Sequence, residues 1–209
     1  PELANIEHFI CRGESGLEGA ADYDEVTASA EDADPQVETD WEDVAVMIYT
    51  GGTTGLPKGV VYLHGMFRAQ IELLRQDFGI AEGEVDLPGL YIFALFNPAL
   101  GVTTVFPDMD PTQPARVNPA YLVEAIQTHG VTNSFGSPTI WKRVEKYCLE
   151  NDVRLPSIKR ILMASAPVPP ALVESFEHDI LQGGEVNTPF GASEAVPITM
   201  MSGSEIVAE

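Results

Sequence analysis

Residues 44–59 read Val44-Ala45-Val46-Met47-Ile48-Tyr49-Thr50-Gly51-Gly52-Thr53-Thr54-Gly55-Leu56-Pro57-Lys58-Gly59, and they decide how the rest of the chain is read. The first six form a continuous apolar run of β-formers, which predicts a buried strand. The run leads straight into a glycine-dense stretch with three threonines and one lysine. Glycines let the backbone curl so that its N–H groups point inward as an anion nest. Threonine hydroxyls add donors, and Lys58 adds a point charge. A polyphosphate needs these groups; a plain hairpin turn does not. The stretch is not the P-loop of NTPases, because Pro57 precedes Lys58 and Gly59 follows it. Its glycines are also out of register for a dinucleotide fingerprint.

Working outward, residues 60–63 read as a strand and 65–78 as a helix with Phe67, Ile71, Leu74 and Phe78 on one face. Residues 90–96 and 102–106 read as further strands, and the proline-rich 107–119 as a loop. A helix at 121–128 is capped by Asn118, opened by Pro119 and ended by Gly130. Strands at 131–135, 160–164 and 185–190 alternate with helices at 138–149 and 169–181, the last stopped by Gly183-Gly184. Alternation of this kind predicts an α/β fold, a parallel β-sheet with flanking helices. Ligands in such folds sit at the carboxyl ends of strands. Three loops lie there: after Tyr49, after Ala164 and after Phe190.

The 209 residues carry a formal net charge of −21. Residues 1–43 hold 14 acids against Arg12 alone, and the remainder 18 acids against 10 bases. So acidic a surface argues against nucleic-acid and anionic-membrane partners. It reads as a solvated face, or as adaptation to salt. Residues 1–43 form an acidic lead segment, a strand at 6–11 followed by a loop with one helical turn near 24–30. Cys11 and Cys148 make no disulfide framework, which fits a cytoplasmic protein. No apolar stretch is long enough for a transmembrane helix. His8, His129 and His178 read as structural or exposed, and Asp108-Met109-Asp110 lacks the spacing of a calcium loop.

Residues 49–60 resemble the phosphate loop of the adenylate-forming superfamily, which includes acyl-CoA synthetases, peptide-synthetase adenylation domains and luciferases. Gly51 stands where Ser is usual. The resemblance implies that Thr50, Gly51, Gly52, Thr53, Thr54, Gly55 and Lys58 hold the ATP phosphates. Ala164-Ser165-Ala166-Pro167 is similar to the family's Gly-Ala-Pro segment, so Ser165, Ala166 and Pro167 are expected along the adenine. Phe190-Gly191-Ala192-Ser193-Glu194 resembles its aromatic-Gly-x-Thr-Glu motif. By that likeness Phe190 and Gly191 border the adenine, Ser193 donates to the α-phosphate, and Glu194 helps hold Mg2+. Lys58, Ser193 and Glu194 become the expected catalytic residues. A nucleophile elbow around Ser193 fails, because Ala195 stands where Gly is required. His64 has a family counterpart, with a helix-capping or core role equally open.

Within the superfamily, residues 84–87, 93–101, 108–112, 135–138 and 166–170 resemble the β-lactone synthetases of long-chain olefin biosynthesis. Asn97 stands where many acyl-CoA synthetases place a His beside the acyl carboxylate. Asn97, Gly136 and Ser137 are therefore expected at the acyl site. The implied reaction joins a β-hydroxy fatty acid to AMP with release of pyrophosphate, then closes a β-lactone. A fatty acyl-CoA or acyl-AMP ligase stays open, as does a nucleotide-binding module without chemistry. The resemblance further implies that residues 44–209 are the central part of a large N-terminal AMP-binding domain. The family's ribose-binding Asp, Arg hinge and C-terminal lid domain are not found here. The expected partners are thus ATP, a small acyl substrate and the rest of a parent chain, with the isolated piece inactive.

Overall fold

The computed structural model describes residues 8–13, 18–33, 36–50 and 56–208, Thr50 through its backbone alone. The chain divides into two units, Pro1–Glu38 and Thr39–Glu209. In the first, β1 (Ile10–Cys11) pairs in parallel with β2 (Ala21–Asp22). Helix α1 (Tyr23–Ser29) starts on Asp22, whose carboxylate accepts from the N–H groups of Asp24 at 2.9 Å and Glu25 at 3.1 Å. An acidic cap with acidic first-turn residues suits the positive end of a helix.

The second unit opens with an antiparallel hairpin, β3 (Val44–Thr50) and β4 (Lys58–Leu63), followed by α2 (His64–Phe78). Then come β5 (Val85–Asp86), a 3₁₀ turn (Tyr91–Phe96), α3 (Asn97–Leu100) and β6 (Thr103–Thr104). A second 3₁₀ turn (Pro114–Arg116) leads to α4 (Pro119–His129), β7 (Asn133–Gly136), α5 (Pro138–Asn151) and β8 (Arg160–Met163). The chain continues through α6 (Pro170–Ser175), which widens into a π-helical turn (Phe176–Ile180). It then forms β9 (Glu185–Ala192), β10 (Ala195–Ser202) and α7 (Gly203–Ala208).

Strands β6, β5, β7, β8 and β9 pair in parallel, and β10 joins the β9 edge antiparallel. The expected parallel α/β sheet is present. Side chains of β8 alternate between two cores, since successive residues of a strand face opposite sides. Ile161 and Met163 pack with Trp141, Phe176 and Ile126, while Leu162 packs with Phe135, Leu74 and Phe96. Both faces of β8 are covered, which is why it reads as an unbroken apolar run. Asn118 and Gly130 bound α4 as expected, Gly130 in the left-handed region at φ 60°.

Four expectations change. The run 44–49 is not a buried strand of the sheet. It pairs only with β4, and Val44, Met47 and Tyr49 are exposed. Residues 90–96 are not a strand either; they coil into a 3₁₀ turn that buries Phe96 and exposes Ile92 and Leu95. Short apolar runs do not separate strand from helical turn by periodicity. The strand at 102–106 shrinks to Thr103–Thr104, and its neighbour β5 is only two residues long. Residues 185–190 are not the last strand. β10 follows, with Pro197 inside its register break on the sheet edge, where a missing N–H is tolerated.

Candidate active site

An open cleft of about 1040 Å³ lies along the carboxyl ends of β8 and β9. Its wall is mostly apolar, with Phe93, Phe96 and Phe135 on one side; Phe93 and Phe135 stack at 3.7 Å. Its rim carries Ser165, Ala166 and Pro167 after β8, Phe190 and Gly191 at the end of β9, and Ser193 just beyond it. The structure thus brings two of the three loops to one cavity. Among the described residues, Tyr62 is the only ionisable side chain lining it.

Each rim residue has a local reason for its place. Ser165 sits at φ 74°, the left-handed conformation that favours glycine and costs other residues about 1 kcal/mol. Phe190 is 66% exposed, so a large ring face is open at the rim. Gly191 is required by the hairpin itself: a Cβ there would lie 2.8 Å from the Ala195 carbonyl oxygen. Ser193 and the exposed Glu194 form the turn from β9 to β10. The Tyr62 hydroxyl donates to the Ser193 carbonyl, tying that turn to strand β4.

Lys58 opens β4, opposite Thr50 in the hairpin register, and does not line the cleft. Gly51, Gly52, Thr53, Thr54 and Gly55, with the Thr50 side chain, lie outside the described residues. His64 begins α2, its N–H donating to the Asp43 carbonyl at 2.9 Å.

The three expected acyl-site residues are not on the cleft surface. Asn97 is 5% exposed, and its amide donates to Asp86 at 2.9 Å and Thr104 at 2.8 Å. Gly136 is buried beside Trp141; a Cβ would fall 2.7 Å from the indole nitrogen. Ser137 starts α5, its hydroxyl buried with no partner among the described residues.

Asn97 belongs instead to a polar cluster behind the aromatic wall. Asp86 also accepts from Asn133 at 2.6 Å. Burial pushes the Asp86 carboxyl up to about 6; the Asn97 and Asn133 donations pull against this, and the Glu84 charge adds to it. Glu84 is the counter-case. Burial would raise it, but hydrogen bonds from Arg160 and Thr132, with the Arg160 charge, hold it below the usual range. The Arg160–Glu84 contacts are 2.6 and 3.3 Å. Asp86, Asn97 and Asn133 border a cavity of about 20 Å³, enough for one water, and the Asn133 carbonyl oxygen lacks a partner among the described residues.

Sequence reading missed Tyr62 and Asp86. The signal for Asp86 was a carboxylate between Val85 and Leu87. Tyr62, a phenol among strand-forming residues, gave none.

Comparison with known proteins supplies the context. A family model described as AMP-binding enzyme matches residues 8–208. The olefin beta-lactone synthetase of Stenotrophomonas maltophilia is 46% identical over 168 residues, 80% of this chain and 30% of that protein. Its counterpart in Xanthomonas campestris pv. campestris is 44% identical over 162 residues, 78% and 28%. The chain therefore spans under a third of these relatives' length. Among solved structures, the O-succinylbenzoate coenzyme A synthetase of Bacillus subtilis in complex with AMP superposes with a TM-score of 0.74 at 26% identity, covering 91% of this chain and 39% of that one. A cleft rimmed by the segment after β8 and by the end of β9, inside a match running nearly end to end, makes the chain a member of the AMP-binding enzyme family.

Proposed function

We propose that the chain is the nucleotide- and acyl-binding core of an enzyme that activates a β-hydroxy fatty acid as acyl-AMP and closes it to a β-lactone. The observation that carries this reading is the apolar cleft of about 1040 Å³ with the exposed Phe190 ring and Ser193 on its rim. The relatives named olefin beta-lactone synthetase support the second step.

In this reading Phe190 stacks on adenine, with Ser165, Ala166, Pro167 and Gly191 as the backbone border. Lys58 and residues 50–55 hold the β- and γ-phosphates of ATP. Ser193 donates to the α-phosphate, where the acyl carboxylate attacks and pyrophosphate leaves. A protein of net charge −21 can hold so anionic a ligand only through such local donors. Glu194, exposed beside Ser193, fits one site on a hard cation whose other ligands are water and phosphate oxygens. Bound there, Mg2+ would offset charge on the phosphates. Asn97, with Gly136 and Ser137, serves the acyl site from behind, by fixing the wall that carries Phe93, Phe96 and Phe135. No helix of the described residues is long and apolar enough to cross a membrane, and a cytoplasmic setting is part of the proposal.

The test uses the parent protein with a 2-alkyl-3-hydroxy acid, ATP and Mg2+, with and without coenzyme A. β-Lactone and AMP without coenzyme A are the expected products. A thioester formed only with coenzyme A overturns the lactone step and leaves the adenylation step standing.

A further inference from the structure

We propose that the Tyr62 hydroxyl accepts a hydrogen bond from the β-hydroxyl of the substrate and aims it at the acyl carbonyl. This rests on the lactone-forming reading above. Ring closure needs the hydroxyl oxygen held about 3–3.5 Å from the carbonyl carbon. An alcohol in an apolar cleft is poorly held unless something hydrogen-bonds it. The described cleft lining offers no carboxylate, imidazole or amine, so the choice falls among hydroxyls.

Tyr62 is distinguished from the others in three ways. It is 3% exposed, whereas Ser165 and Thr199 are exposed. Its proton is already committed to the Ser193 carbonyl, so the phenol oxygen presents lone pairs only. One of these accepts from the Gln70 amide at 3.4 Å, and Tyr62 lines the cleft, where the other can accept from a bound alcohol. Its partner, moreover, is the residue assigned to the α-phosphate. The β-hydroxyl of an acyl-adenylate lies only a few bonds from that phosphate, so a polar group tied to Ser193 is in the right neighbourhood. Thr188, by contrast, is turned toward the Met201 carbonyl at 3.4 Å.

The step balances without a redox partner. The hydroxyl oxygen bonds to the acyl carbon, the bond from that carbon to the phosphate oxygen breaks, and AMP leaves with the electron pair. As that bond forms, the hydroxyl proton leaves its hydrogen bond to the Tyr62 oxygen for the departing AMP phosphate, while Tyr62 keeps its own.

Tyr62→Phe keeps the ring that packs 5.4 Å from Phe67 and removes the hydroxyl, both the acceptor and the donor to the Ser193 carbonyl. In the parent protein, two rates are measured on one preparation: ATP–pyrophosphate exchange and β-lactone formation. Exchange is followed with a 2-alkyl-3-hydroxy acid and with the same acid lacking the hydroxyl. The expected result is that the ratio of lactone formation to exchange falls about tenfold, the worth of one hydrogen bond, with acyl-AMP accumulating. Equal losses in both rates would assign Tyr62 to bracing the Ser193 turn and overturn the proposal. So would an unchanged ratio. Wild-type protein that forms acyl-AMP but no lactone overturns the functional reading itself, a result distinct from either.

Discussion

Two regions of the second unit share an aromatic wall and handle charge in opposite ways. Phe93, Phe96 and Phe135 border both the open cleft and the small cavity beside Asp86. On the cleft side Tyr62 is the one ionisable side chain among the described lining residues. Behind the wall, Glu84, Asp86 and Arg160 are all nearly sealed from solvent. The lesson is that this chain places its buried charge behind the wall, beside the sheet, and keeps charge off the described lining of the cleft. The wall lies between the two, and on its far side Arg160 neutralises the Glu84 charge.

The largest effect expected is at the charged end of that contrast. Arg160→Met removes the guanidinium from a buried Glu84, and stability should drop by about 3–5 kcal/mol in denaturant melts of the parent protein. Lys159, 3.9 Å from Glu84, is too exposed to replace it. A loss under about 1 kcal/mol would show that the cluster is not a structural lock.

Asp86 gives the next effect, through pH. Its folded carboxyl lies near 6 against an ordinary 3.8, so between those values the folded protein binds more protons than the unfolded chain. Stability attributable to Asp86 is therefore fully present below pH 3.8 and is lost as pH rises through 6, by roughly 3 kcal/mol in all. Glu84 acts in the other direction, losing its contribution as pH falls through its lowered value. Asp86→Asn should flatten the pH 4–6 portion of the stability profile relative to wild type. An unaltered profile would remove Asp86 from the account.

The hairpin that carries the cleft's Tyr62 is tested by Lys58→Ala, which should cut kcat/KM for ATP in the parent protein about 10- to 100-fold, or roughly 1.4–3 kcal/mol, with little change in melting. Unchanged ATP kinetics would detach the hairpin from nucleotide binding. The smallest effect is at Ser165. Replacing it with Gly relieves a left-handed serine and should stabilise the fold by about 0.5–1 kcal/mol, as read by a thermal shift.

Sequence legibility follows the same division. The segments at 165–167 and 190–193, which meet at the cleft, stand out in the sequence because each is contiguous, and contiguity lets a motif be recognised. The polar cluster is assembled from residues up to 76 positions apart, as in Arg160 and Glu84, so no local pattern announces it. Asn97 was assigned by position in a motif, and only its hydrogen bonds to Asp86 and Thr104 show where its amide points. The sheet's parallel core was readable from alternation, but two-residue strands such as β5 are shorter than any period. β10 was hidden by Pro197, a residue that argues against a strand unless the strand lies at an edge.

The hairpin β3–β4 has a practical consequence for handling the protein. Its two strands pair with each other and with no other strand, so among the described residues each has an outer edge without a strand partner, beside the exposed Val44, Met47, Tyr49 and Val61. Open apolar edges template sheet-to-sheet association. The −21 net charge opposes this by colloidal repulsion, whose range shrinks to about 10 Å in 0.1 M salt. Self-association of the isolated chain should therefore increase with ionic strength, whereas a salt-adapted surface would do the reverse, and light scattering across a salt series separates the two.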